Sequence, residues 1–222
     1  MERMCISSFL RHDHQFHLYV YQETEGIPPG TIVLDGNKVL PASRIFTYRE
    51  HKTYAGFANF FRYKLLLEEG GWFVDADTIC LKPFHFHSDY VFSSEGLHGR
   101  QTVNLGAMKV PPASPVIEYC WAACEKLDPA ELKWSQCGPQ LVARAVENCS
   151  LQQYIQPPNV FCPVHFSEWE KLLDPAVGCK FEDTTYAIHL WNELWRREGQ
   201  DKDSRYPQGC IYQELRQRYL GE

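Results

Sequence analysis

A chain of 222 residues suits one domain, or one large domain with appendages, and its 44% apolar and 23% charged residues are enough for a sizeable core. A formal net charge of −6, with no run of Lys or Arg longer than two, leaves no nucleic-acid footprint. No apolar stretch reaches transmembrane length, the opening residues lack a signal-peptide pattern, and nine cysteines without C-x-x-C spacing speak for reduced, mostly buried thiols rather than a disulfide framework or a zinc knuckle.

Taken in chain order, "RMCISSFLRH" places Met4, Ile6, Phe9 and Leu10 on one helical face, and "QFHLYVYQ" (15–22) alternates like a strand. "GTIVLDG" (30–36) is a second short strand. "TYAGFANFFRYKLLLEEGG" (53–71) has the strongest helical spacing in the chain, with Gly70 and Gly71 as its stop. "WFVDAD" follows as a short strand, and "DYVFSSE" (89–95) and "VNLGAMKV" (103–110) are two more. "SPVIEYCWAACEKL" (114–127) and "GPQLVARAVENC" (138–149) read as helices opening with Pro. "TYAIHLW" (185–191) is a late strand, "REGQDKDSRYPQG" (197–209) a surface loop and "CIYQELRQRYL" (210–220) a last helix. Strands alternating with helices predict an α/β fold.

The stretch "GGWFVDADTICLKP" sets Asp75 and Asp77 one residue apart after an apolar run. On a strand, positions i and i+2 point to one side, so both carboxylates can face one site at the strand's carboxyl end, where α/β folds bind ligands. Two like charges this close repel unless a cation sits near them, and hard oxygen ligands favour Mg²⁺ or Mn²⁺ with phosphate and water completing the shell. The competing reading is an ordinary strand end facing water. Upstream, Asn59 and Arg62 share a helix face. A buried Arg on so apolar a helix needs an anionic partner, either Asp75 or a sugar or phosphate of a ligand; the alternative is a snorkelling surface Arg.

"FANFFRYKLLLEEGGWFVDADTICLKPF" resembles the signature of the DXD-containing sugar transferases, a family that includes α-1,4-galactosyltransferases, initiating mannosyltransferases and bacterial polysaccharide enzymes. "WSQCGPQLVARAV" (134–146) and "AIHLWNELW" (187–195) resemble two further family segments. The resemblance implies a single GT-A-like domain over 1–222, a Rossmann-type mixed sheet flanked by helices, with residues 1–110 as the nucleotide-sugar half and 111–222 as the acceptor half. It implies that Asp77 binds a divalent cation, Mn²⁺ or Mg²⁺, bridging the two phosphates of a nucleotide sugar. Asp75 would help hold that metal and bond the ribose or sugar, and His189 would complete the metal shell. Asp75, Asp77 and Arg62 are the expected catalytic residues. Asn59, Ala76, Asn104, Gly138, Trp191 and Asn192 are expected around the donor, with Trp191 and Asn192 closing over the diphosphate and the Trp191 indole N–H aiding Arg62. Gly106 and Ala107 would leave room for a sugar ring.

The implied activity is retaining transfer from a nucleotide sugar, a UDP-sugar first and a GDP-sugar second, to a saccharide or glycolipid acceptor in surface polysaccharide synthesis. With no carboxylate standing out as a nucleophile, attack on the face of departure is expected. The implied setting is cytoplasmic, with peripheral contact at the inner membrane face if the acceptor is lipid-linked. Two features depart from the family pattern. Asn59 stands where Asp is common, which bears on donor identity. The chain also opens in the helix that follows the usual first strand, so a sheet with an exposed edge is expected. Two other readings are a non-catalytic, degenerate sugar- or nucleotide-binding domain and a D-x-D-x-T phosphatase, for which "FEDTTY" offers only Glu182 and Asp183 as the later acidic pair.

Overall fold

The computed structural model describes residues 1–50, 52–134 and 136–221; Ser135, within the "WSQCGPQL" segment, lies outside them. The helices are α1 (Glu2–Arg11), α2 (Ala55–Glu68), α3 (Pro115–Cys124), α4 (Pro139–Asn148), α5 (Pro158–Phe161), α6 (Asn192–Arg197) and α7 (Ile211–Leu220). The strands are β1 (His17–Val20), β2 (Ile32–Asp35), β3 (Gly71–Val74), β4 (Thr78–Cys80), β5 (Val91–Leu97), β6 (Arg100–Val110) and β7 (Ala187–His189). The α/β class read from the sequence is the class the chain has. β1 and β2 pair in parallel, β3–β6–β5 form an antiparallel sheet, and β4 pairs antiparallel with β7. Among the described residues β1 pairs with β2 alone and β3 with β6 alone, so each leaves an edge.

Two apolar clusters organise the molecule. In one, α1 and α7 close over β4 and β7 around Met4, Ile79, Ile188, Trp195 and Tyr212. In the other, α2, α3 and α4 pack around Tyr63, Leu66, Met108, Ile117 and Val142. Full burial of such a side chain contributes roughly 1.5–3 kcal/mol. α2 is enclosed on most sides: Phe57, Phe60, Phe61, Tyr63 and Leu66 are buried, and so are the polar Asn59 and Arg62. It ends because Gly70 and Gly71 both take left-handed backbone, φ +64° and +82°. A Cβ on Gly70 would also sit 2.4 Å from the Pro112 nitrogen.

Two features direct the chain to the site. The sequence places Asp75 and Asp77 on a strand, but β3 stops at Val74 and Asp75–Asp77 form a turn. β3 belongs to the β6 sheet and β4 to the β7 sheet, so the chain must change sheets there. The Thr78 N–H donates to the Asp75 carbonyl at 2.9 Å and closes the turn. The second feature is a bulge between β5 and β6. Phe92 faces Met108 while Ser94 faces Val103, so two steps along β5 span five along β6. The extra residues include Asn104 and Gly106, and bulges of this kind re-aim side chains. The bulge also turns Ala107 toward the first cluster while Leu105 and Met108 stay in the second.

Candidate active site

The 75–78 turn is pinned from both sides. The Asp75 N–H donates to the Gly106 carbonyl at 2.9 Å, and the Thr78 hydroxyl donates to the same carbonyl at 3.0 Å. From the β7 side, the Leu190 N–H donates to the Asp77 carbonyl at 2.9 Å. Ala76 is the exposed tip. Convergence of the two carboxylates therefore comes from a fixed turn.

Each carboxylate has its own cation. Arg62, only 3% exposed, donates through Nη2 to Asp75 Oδ1. Its Nη1 donates to the Leu105 carbonyl at 2.6 Å, and its guanidinium lies 4.7 Å from the Phe73 ring centroid. This is the anionic partner that a buried Arg on α2 requires. Asp77 Oδ1 lies 3.1 Å from His189 Nε2, and its Oδ2 accepts the Asn192 backbone N–H at 2.8 Å. Burial raises the Asp75 carboxyl above the usual range, with Arg62 opposing and the Asp77 charge adding to the rise. Burial pushes Asp77 up too, but the His189 charge and the bonds from His189 and Asn192 outweigh it and bring Asp77 down. His189, which burial alone would depress, is held well above the ordinary imidazole value by Asp77.

These three residues fit a divalent cation. One ligand atom from each of Asp75, Asp77 and His189 lies within 4.8 Å of the others. Two carboxylates and an imidazole are a donor set for Mn²⁺-like ions. His189 meets Asp77 through Nε2, the nitrogen on the carboxylate side of the ring, while its Nδ1 is buried beside Gly106 and Cys162.

The remaining expected residues fall at different places. Asn104 lies beside the triad: its Oδ1 accepts the Gly106 N–H at 2.6 Å and its Nδ2 donates to Glu95 Oε2 at 3.2 Å. Gly106 has no room for a Cβ, which would lie 2.9 Å from Asn104 Oδ1 and 3.1 Å from His189 Nδ1. Trp191, in left-handed backbone at φ +60°, packs its ring against His189 with centroids 4.1 Å apart. Its indole N–H donates to the Val164 carbonyl at 2.9 Å, so that donor is committed within the protein. Asn192 meets Asp77 through its backbone N–H. Asn59 turns away from Arg62, its Nδ2 pointing at Cys137 Sγ at 3.9 Å, where the Tyr48 hydroxyl lies at 3.2 Å. It thus braces the turn before Gly138, the residue that precedes α4.

The sequence motifs do not single out Glu95. An acidic residue ending an apolar strand, "YVFSSE", was its signal. Burial raises its carboxyl, against His189, His165 and the Asn104 bond. It lines two cavities of about 580 and 570 Å³, one between β6 and α4 with Val103 and Pro139, the other with Arg100, His165 and Phe166. The metal-ligand triad lines neither wall, and Asn104 joins it to Glu95.

Family models match both ends of the chain. Residues 2–96 match the glycosyltransferase sugar-binding region containing the DXD motif, and residues 130–219 match the α-1,4-glycosyltransferase conserved region. The chain belongs to the DXD-containing glycosyltransferases. No curated protein matches it. Among solved structures, the PaToxG glycosyltransferase is similar at 17% identity over 69% of each chain, with a TM-score of 0.49. Among the described residues no helix is long and apolar enough to cross a membrane.

Proposed function

We propose that this glycosyltransferase is metal-dependent and retaining, and that it moves a sugar from a UDP-sugar to a saccharide or glycolipid acceptor in surface polysaccharide synthesis, with a GDP-sugar as the second candidate donor. The observation that carries the reading is the convergence of Asp75, Asp77 and His189 within 4.8 Å on a pinned turn. Asp77 and His189 would supply two ligands, and Asp75, steered by Arg62, the third. Mn²⁺ suits the mixed oxygen and nitrogen set better than Mg²⁺. When bound, the cation supplies Lewis-acid neutralisation of the departing diphosphate.

The protein's own groups do the rest. Arg62 fixes Asp75 and adds a permanent positive charge beside the leaving group's position, a preorganised electrostatic contribution. The Asn192 N–H and Trp191 hold Asp77 and His189 in place. Both carboxylates of the motif are engaged by cations, Asp75 by Arg62 and Asp77 by His189, which supports attack on the face of departure. The phosphatase reading finds no support at Glu182, an exposed residue bonded to Asn159 and Thr184.

Calorimetric titration of UDP with Mn²⁺, then with EDTA, tests the reading. Binding is expected with Mn²⁺ and is expected to vanish with EDTA or in Asp77→Ala. Metal-independent binding would remove the metal-bridged diphosphate from the account. Binding of GDP where UDP fails would move the donor to the guanosine series. Binding without turnover of any nucleotide sugar would favour the non-catalytic reading.

A further inference from the structure

Glu95 stands at the meeting point of the two cavities and is mechanically tied to the metal-ligand triad. Glu95 and Thr102 are cross-strand partners on β5 and β6, and both line each cavity. From Asp77 a line of contacts runs through His189 at 3.1 Å, past Gly106, to Asn104, which grips the Gly106 N–H at 2.6 Å and donates to Glu95 at 3.2 Å. The bulge makes this line possible, because it carries Asn104 and Gly106 between the triad and the cavities.

Only one Glu95 oxygen is engaged. Asn104 donates to Oε2, and Oε1 has no donor among the described residues, although an ionised carboxylate accepts at about four positions. A half-buried carboxylate with open acceptor sites at a cavity wall is suited to hydroxyl groups. Around it, Gln140 and Gln152 line one cavity with amides that both donate and accept, while the Gln101 amide nitrogen donates to Ser94 Oγ and the Gln156 carbonyl. Phe166 presents an apolar ring in the other, 43% exposed. Each volume falls in the range of small-molecule sites, about 300–1,000 Å³.

We propose that Glu95 binds the hydroxyl groups of the donor's sugar, a neutral hexose, on the far side of Asn104 from the diphosphate. A neutral ring is preferred because an anionic sugar would meet a like charge. This assignment rests on the metal-bound nucleotide-sugar reading above.

The experiment compares bare UDP with UDP-glucose, UDP-galactose and UDP-N-acetylglucosamine, each titrated with Mn²⁺ into wild type and Glu95→Gln. In wild type, at least one sugar nucleotide is expected to bind tighter than UDP by about tenfold or more, the worth of a hydrogen bond to a charged group. Glu95→Gln keeps an acceptor for Asn104 and is expected to bind bare UDP within about twofold of wild type while losing most of the sugar-dependent gain. A gain that survives in Glu95→Gln overturns the assignment, as does a wild type with no gain for any of the three. Wild type that binds neither UDP nor GDP with Mn²⁺ removes the parent reading and this one together, a pattern distinct from either; where GDP binds and UDP does not, the same comparison is made with GDP and GDP-mannose. Should Glu95→Gln fold poorly, Thr102→Trp fills the same junction from its exposed side. It is expected to spare UDP and abolish the gain; a retained gain overturns the assignment.

Discussion

Asp75 and Asp77 are two positions apart in the chain and belong to different regions of the molecule. Asp75 follows β3 in the sheet packed on α2, where a buried Arg62 holds it. Asp77 precedes β4 in the sheet packed against α1 and α7, where His189 and the Asn192 N–H hold it. The site is the seam between two apolar clusters. The partners differ in kind as well. Arg62 is a permanent cation and His189 a titratable one that can trade its proton for a metal. The Arg62 side is therefore scaffold for the charge pattern, and the His189 side is the exchangeable half.

That contrast can be broken by removing each cation. Arg62→Ala leaves Asp75 without its ion partner and strands the Leu105 carbonyl; breaking a buried pair in this way costs about 3–5 kcal/mol, readable as a lower urea midpoint at unchanged slope. Arg62→Lys should recover only part of it, since an ammonium cannot reproduce the planar fork to Asp75 and Leu105. On the other side, His189→Ala should change stability less and metal affinity more. An unchanged Mn²⁺ affinity in His189→Ala would erase the distinction between the two sides.

The next effect concerns the bridge between the regions. Gly106→Ala puts a methyl against Asn104 and His189. Overpacking of that kind costs roughly 1–3 kcal/mol. A displaced imidazole should lower Mn²⁺ affinity by at least about tenfold, in the range seen when support of a metal ligand is lost. Normal Mn²⁺ binding in Gly106→Ala would show that the ring has slack.

A smaller effect is the pH response of the exchangeable side. Asp77 holds the His189 pKa above its unfolded value, so the folded state binds the extra proton. That contribution to stability is complete below the unfolded value, about 6.5, and is lost as pH rises through the folded value. Metal-free protein should therefore lose melting temperature on the alkaline side, and Mn²⁺ binding should release a proton and tighten as pH rises. Calorimetry in two buffers of different ionisation enthalpy reads the proton directly; the release should fall away as the pH of the titration is raised.

The smallest effect sharpens the contrast within α2. Asn59 lies one turn before Arg62 yet points at Cys137. Asn59→Ala should cost about 1 kcal/mol, the net worth of an ordinary hydrogen bond, and leave UDP affinity within about threefold. A larger loss would show that Asn59 reaches the ligand itself.

The sequence by itself determined the order of the main elements, the motif and its neighbours. Helical spacing marked α1, α2, α3, α4 and α7, and "VDAD" with "AIHLWN" pointed to the residues that the fold brings together, because local periodicity and residue chemistry are properties of neighbours in the chain. Short elements such as β4, α5 and α6 carried too few residues for a period to show. What only the tertiary structure decided were the directions. Asp75–Asp77 is a turn because β3 and β4 enter different sheets, and no local pattern records which sheet a strand will join. The Trp191 N–H goes to Val164, 27 positions earlier, and Asn59 to Cys137, 78 positions later. Glu95 gained its place when a bulge, set by pairing between β5 and β6, swung Asn104 and Gly106 between it and His189. Those outcomes depend on long-range packing and on the need to satisfy each buried polar group.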